Sequence, residues 1–253
     1  MKISVITAVY DGGHHFLPEA YESLNAQEIP DGWEWEWCVQ EDGKTGIPAS
    51  LLPNDPRIKY SAGLPGRAGV ARTMALSNAT GPLIRTLDAD DVLLPGALAR
   101  DIEALHRVAW CVSAGLDLHP DGTSTPGPHD PPDGPFTPGQ LFAEQKRDKL
   151  SVMATTFAAH KDLVLALGGW TALTGAEGVG LLLAAEAVAP GEFIARPSLL
   201  YRKHDAQTTA STTYWDAAEH ELRMTAVLDR AESLRSAGWR WSFERPNGPV
   251  RGS

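Results

Sequence analysis

The chain has 253 residues, 43% hydrophobic and 21% charged, which suits a folded globular protein with a sizeable core and excludes disorder as the default. A formal net charge of −10 leaves neither a basic footprint for nucleic acid nor a polybasic membrane contact. The two cysteines, Cys38 and Cys111, make no disulfide framework and no zinc constellation, and they read as small reduced core residues.

Residues 3–9 are a continuous apolar run, as expected of a strand buried on both faces. No basic-then-apolar leader precedes it and no apolar run approaches the ~20 residues of a membrane span, so a cytoplasmic location is expected. Asp11-Gly12-Gly13 breaks the strand. A helix follows over 16–27, with Pro18 in its first turn and Leu17, Ala20, Tyr21 and Leu24 at helical spacing. A second strand over 35–40 ends at Glu41-Asp42-Gly43, and a short third covers 58–60. A glycine-rich turn opens a helix over 66–79. The strand over 82–87 runs into Asp88-Ala89-Asp90-Asp91. Pro95 opens a helix to about 106, and 108–116 is again a strand.

This alternation predicts a parallel α/β sheet with helices on both faces, whose ligands bind beyond the carboxyl ends of the strands. Asp42 and the 88–91 cluster both fall at such ends. Residues 119–139, crowded with Pro, Gly and Asp, read as a long loop, either a linker or a lid that touches the ligand. Beyond it, helices are expected over 140–149, 161–167, 178–189 and 214–235, and strands over 152–158 and 193–202.

Three carboxylates in four residues repel one another. At the end of a buried strand, a bound Mg2+ or Mn2+ accounts for them better than a solvated turn does. Such an ion can bridge a diphosphate.

With these residues in view, the chain resembles the family-2 glycosyltransferases. The resemblance runs from Ile3-Ser4-Val5-Ile6-Thr7-Ala8-Val9-Tyr10 through Gln40-Glu41-Asp42-Gly43 and Gly69-Val70-Ala71-Arg72 to Thr86-Leu87-Asp88-Ala89-Asp90-Asp91, and on to Gly168-Gly169-Trp170 and Tyr201-Arg202-Lys203-His204. It implies the GT-A fold: an α/β, Rossmann-like, mostly parallel sheet flanked by helices, with a mixed acceptor-side half and a C-terminal helix. On that reading one continuous domain comprises a nucleotide-sugar half over 1–117, the loop over 118–139, an acceptor and catalytic half over 140–213, and a helix and tail over 214–253.

The resemblance also implies roles. Thr7, Ala8 and Tyr10 form a wall beside the nucleobase, Tyr10 either stacking on it or belonging to the core. Asp42 accepts a hydrogen bond from the base, uracil being the commonest. Arg72 lies near the diphosphate, or is a structural ion pair. Asp88 contacts the ribose side of the donor, Asp90 binds Mn2+ or Mg2+, and His204 is a further metal or diphosphate contact. Because Gly178 stands where the family commonly has a second acid, either Glu177 deprotonates the acceptor with its longer reach or the base lies elsewhere. The implied donor is a nucleotide-diphosphate sugar, with UDP as the expected nucleotide; compact size and the lack of an anchoring segment favour a small-molecule acceptor, with lipid-linked and protein acceptors and self-association left open.

Two other readings fit the sequence. A sugar nucleotidyltransferase needs a basic glycine-rich loop after the first strand, where this chain has Asp11-Gly12-Gly13-His14-His15. A non-catalytic nucleotide-sugar-binding module is the other, and Gly178 is its best argument.

Overall fold

The computed structural model describes residues 1–10, 12–127 and 130–242. Asp11 and the 243–253 part of the tail lie outside the described residues. In chain order the elements are β1 (Lys2–Val9), α1 (Leu17–Asn25), β2 (Glu34–Glu41), α2 (Ile47–Leu51), β3 (Ile58–Ala62), α3 (Arg67–Ser77), β4 (Leu83–Thr86), β5 (Val92–Leu93) and α4 (Ala97–Leu105). They continue as β6 (Trp110–Leu118), β7 (Ser124–Pro126), β8 (Gly134–Pro135), α5 (Gln140–Gln145), β9 (Ala158–His160), α6 (Lys161–Ala166), α7 (Glu177–Val188), β10 (Gly191–Arg202) and α8 (Ala217–Ser236).

One sheet runs β3-β2-β1-β4-β9-β6-β10-β5, with β7 added to β6 and β8 to β10. The first half, β3-β2-β1-β4, is parallel throughout. The β9 strand is antiparallel to both β4 and β6 and switches the sheet to a mixed pattern. Side chains of β1 alternate between two cores, Ile3, Val5 and Val9 packing with Leu17, Leu24 and Leu98 on one face. Ile6 joins Leu76, Trp110 and Leu181 on the other. A strand covered on both faces carries apolar residues on both, which is why its sequence does not alternate, and its buried Ser4 and Thr7 hydroxyls are hydrogen-bonded. Helix α7 is buried from Gly180 to Val188 and apolar there except for Glu186, whose carboxylate accepts the Leu141 and Phe142 amides. Both cysteines are buried and unpaired among the described residues.

Four expectations are corrected. Of the strand expected over 152–158, only Ala158 is in one, as the first residue of β9. Thr156 Oγ1 donates to the Ser113 carbonyl at 2.9 Å, the Ser113 amide donates back to the hydroxyl at 3.0 Å, and a 3-10 turn forms over Ala154–Thr156 before β9 begins. The loop over 119–139 contributes β7 and β8 to the sheet. The helix expected over 140–149 ends at Gln145, and Asp148 takes a left-handed φ of 52°. Helix α8 starts at Ala217 because the Asp216 carboxylate accepts the Glu219 amide at 3.0 Å and sets the N-terminus there.

The edge of the parallel half is fastened by Glu36, only 1% exposed. Its carboxylate accepts from Ser4 Oγ at 2.7 Å, from the Thr80 amide at 2.5 Å and from Thr80 Oγ1 at 2.7 Å, and it pairs with Lys59 Nζ at 2.9 Å. Burial pushes this carboxyl up, but Lys59, Ser4 and Thr80 outweigh burial and hold it at about 2, below the ordinary 4.5. The folded value is the lower one, so its stabilisation is complete above 4.5 and is lost as pH falls toward 2. Glu36→Gln is expected to cost ~1–3 kcal/mol at neutral pH and to flatten the acid limb of stability between about pH 4 and 2, read by urea titration at several pH values.

Candidate functional site

A cavity of about 590 Å³ opens at the carboxyl ends of β1, β2 and β4 and is closed on the far side by the N-terminus of α7. Ala8 borders it from β1 and Tyr10 from just past its end, Asp42 from the turn after β2, Asp88 and Asp90 from the turn after β4, and Glu177 from α7. Parallel strands with helical crossovers end at one level, so these residues converge although they are far apart in sequence.

The central feature is Arg72, 8% exposed. Its Nη1 donates to Glu177 Oε1 and its Nη2 to Asp88 Oδ1, each at 2.5 Å. Arg72 thus forms an ion pair with each of two carboxylates, which share its charge. Helix α3 comes close enough to do this because of Gly69: a Cβ there would lie 2.3 Å from the Thr171 carbonyl oxygen and 3.0 Å from Glu177 Cβ. Thr155, on the 3-10 turn, donates from Oγ1 to Asp88 Oδ2 at 3.0 Å, so both Asp88 oxygens have protein partners.

Asp90 and His204 meet, with His204 Nε2 2.9 Å from Asp90 Oδ2. Burial, then the Asp88 charge, raises the Asp90 carboxyl above its usual range, and His204 opposes this. Asp91 is buried behind them. The Arg202 amide donates to its Oδ1 at 3.0 Å, while its Oδ2 has no partner among the described residues. Burial and the Asp88 and Asp90 charges push Asp91 well above the carboxylate range. No group of three or more His, Cys, Asp or Glu side chains among the described residues is arranged to hold a metal ion.

Asp42 turns inward at the mouth, accepting the Gly66 amide at 2.5 Å and the Arg67 amide at 3.0 and 3.1 Å. Tyr10 is 41% exposed, not a core residue, and its hydroxyl donates to the Ala206 carbonyl at 2.7 Å. Thr7 does not reach the cavity. Period-two alternation places it with Val5 and Val9, where its Oγ1 donates to the Leu87 carbonyl at 2.6 Å and accepts Trp37 Nε1 at 2.8 Å. Glu177 is the first residue of α7, preceded by Ala176 in a left-handed conformation with φ 61°. A carboxylate at that end of a helix is favoured by the axial dipole.

Thr155, Arg67 and Tyr214 also border the cavity, and sequence reasoning missed them. Thr155 was hidden by the strand reading of its segment. Arg67 stands beside a glycine in the 66–79 turn, which was its one visible signal.

Replacing Arg72 by methionine leaves Asp88 and Glu177 without their common cation. We expect a loss of ~3–5 kcal/mol in urea unfolding, with Arg72→Lys recovering only part, since an ammonium cannot fork between two partners.

Comparisons with known proteins follow the same lines. The family model described as Glycosyl transferase family 2 matches residues 4–165. An uncharacterized protein, y4gI, of Sinorhizobium fredii is 30% identical over 125 residues, 47% of this chain, and the match spans 12% of that relative's length. The crystal structure of S. aureus TarS 1-349 superposes with a TM-score of 0.65 at 18% identity, covering 94% of this chain and 72% of the other. The same protein in complex with UDP-GlcNAc gives a TM-score of 0.68 at 18% identity, covering 94% and 74%. These likenesses extend the GT-A fold over nearly the whole chain, and no helix among the described residues is long and apolar enough to cross a membrane. The chain belongs to glycosyl transferase family 2.

Proposed function

We propose that this chain transfers a sugar, with inversion, from a uridine-diphosphate donor to a hydroxyl or amine of a small acceptor in the cytoplasm. The observation that carries the reading is the convergence of Asp42, Asp88, Asp90 and Glu177, from separate stretches of the chain, on one cavity. A solved TarS structure holding UDP-GlcNAc has this fold and supports the choice of nucleotide. The 1–117 half then serves the donor and the 140–213 half the acceptor.

In this reading Asp42, fixed by the Gly66 and Arg67 amides, keeps lone pairs for a ring N–H of the base. The acceptor oxygen or nitrogen forms its bond to the anomeric carbon as the bond to the diphosphate oxygen breaks. The electron pair leaves with the nucleoside diphosphate, and the acceptor proton passes to Glu177. Arg72 holds Glu177 by Oε1, and no hydrogen bond among the described residues engages Oε2, the oxygen left for that proton.

Asp90 and His204 would hold a Mn2+ or Mg2+ ion. Their oxygen and nitrogen donors suit such a cation, and the buried Asp90 charge beside Asp88 favours one. When bound, the ion offsets charge on the leaving diphosphate.

A second reading is favoured by Gly178: the chain binds a nucleotide sugar and transfers nothing. One pair of measurements separates them. Under the transfer reading, Glu177→Gln keeps an acceptor for Arg72, holds donor affinity within about threefold and slows turnover ~10²–10⁴-fold. Wild-type protein that binds UDP-sugar in calorimetry with Mn2+, yet neither transfers nor hydrolyses it across an acceptor panel, would establish the second reading instead.

A further inference from the structure

The cavity holds an imbalance that the proposed reaction must overcome. Asp42, Asp88, Asp90 and Glu177 all border it, and the donor would add a diphosphate. Among the described lining residues the guanidiniums are Arg67 and Arg72. Arg72 is spent, one nitrogen on Glu177 and the other on Asp88. That leaves Arg67.

Arg67 is exposed at the cavity mouth. Its backbone amide donates to both Asp42 oxygens, which fixes its position relative to the base-reading carboxylate. Its guanidinium makes a single long hydrogen bond, Nη1 to the Thr174 carbonyl at 3.3 Å, and no carboxylate among the described residues pairs with it. It also sits at φ 67°, a conformation that residues other than glycine rarely adopt. Glycine would take that backbone without strain, so the long cationic side chain is held there at a cost. Strain of this kind is a pointer to function.

We infer that Arg67 is the cation through which the protein grips the donor diphosphate, its planar fork swinging from Thr174 onto the phosphate oxygens when the nucleotide enters. A guanidinium makes charge-assisted, paired hydrogen bonds to phosphate, and this one is the cavity's uncommitted fork. The inference rests on the nucleotide-sugar reading and goes beyond it by moving the phosphate contact from Arg72 to Arg67.

The test uses uridine, UDP and inorganic pyrophosphate as calorimetric probes on the full chain, with and without Mn2+. The variants are Arg67→Gln and Arg67→Gly, each checked by thermal melting. Arg67→Gly keeps the amide contacts to Asp42, removes the strain and should melt no lower than wild type. Without metal, both variants should weaken UDP and pyrophosphate ~10- to 100-fold while changing uridine less than about twofold. Equal weakening of uridine and UDP, or unchanged UDP affinity, would overturn the inference. Should wild type bind pyrophosphate but neither uridine nor UDP, the nucleotide reading fails alone, and loss of pyrophosphate binding in Arg67→Gln would still uphold Arg67 as the anion grip. Wild type that binds none of the probes sinks both.

Discussion

Two carboxylates from distant parts of the chain meet on a single guanidinium, and the shape of the cavity follows from that meeting. Asp88 lies 16 residues from Arg72 in sequence and Glu177 lies 105 away, yet both take a nitrogen of Arg72 at 2.5 Å. The fork therefore ties the turn after β4 to the start of α7 through α3. Burial drives the Arg72 guanidinium toward losing its proton, and the two carboxylates more than reverse this, holding it firmly charged. A charge-assisted fork in low dielectric is stiff because each arm fixes the angle of the other. Gly69 is the steric condition for it. With a Cβ at 2.3 Å from the Thr171 carbonyl, α3 would be displaced and the guanidinium could not span both partners.

The parallel half of the fold was legible because its physics is repetitive. Strands buried on both faces carry apolar residues on both, and β1 shows this in Ile3, Val5, Ile6 and Val9. Helix α1 carries Leu17, Ala20 and Leu24 at the spacing a buried face requires. Strand ends in such sheets lead to sites, so Asp42 and the 88–91 turn could be picked out. The strands over Val92–Leu93, Ser124–Pro126 and Gly134–Pro135 were not legible. They have two or three residues each and exist because a neighbouring strand offers free backbone groups, which leaves no periodic trace in their own sequence. The 152–158 segment is the sharper case. Its apolar and β-branched residues suit a strand, but the Thr156 hydroxyl satisfies backbone groups locally and the turn wins. The same error concealed Thr155, whose hydroxyl holds Asp88.

Arg72 was open between two roles in the sequence because spacing cannot say which anion a buried cation meets. The structure shows two such anions, one of them on α7, more than a hundred residues downstream. Arg67 escaped notice for the opposite reason. Nothing in a Gly-Arg-Ala-Gly run announces a left-handed arginine, and only the backbone trace makes it conspicuous.

The acidic turn shows how this chain tolerates so much like charge in one place. Asp88 is answered by Arg72 and Thr155, and Asp90 by His204. Asp91, buried behind them, is pushed toward its neutral form and accepts only a backbone amide on Oδ1. That amide belongs to Arg202, whose Nε also donates to the Asp90 carbonyl at 2.8 Å. Strand β10 is thus pinned to the turn twice. Its register against β6 shifts between Ile194 and Leu199, which lets one continuous strand pair with β8 at one end and β5 at the other. Without that irregularity and the two Arg202 contacts, the chain after β10 would leave the sheet elsewhere, and His204 would not arrive beside Asp90. The histidine's place is set less by its own bonding than by the way the last strand is bent and anchored.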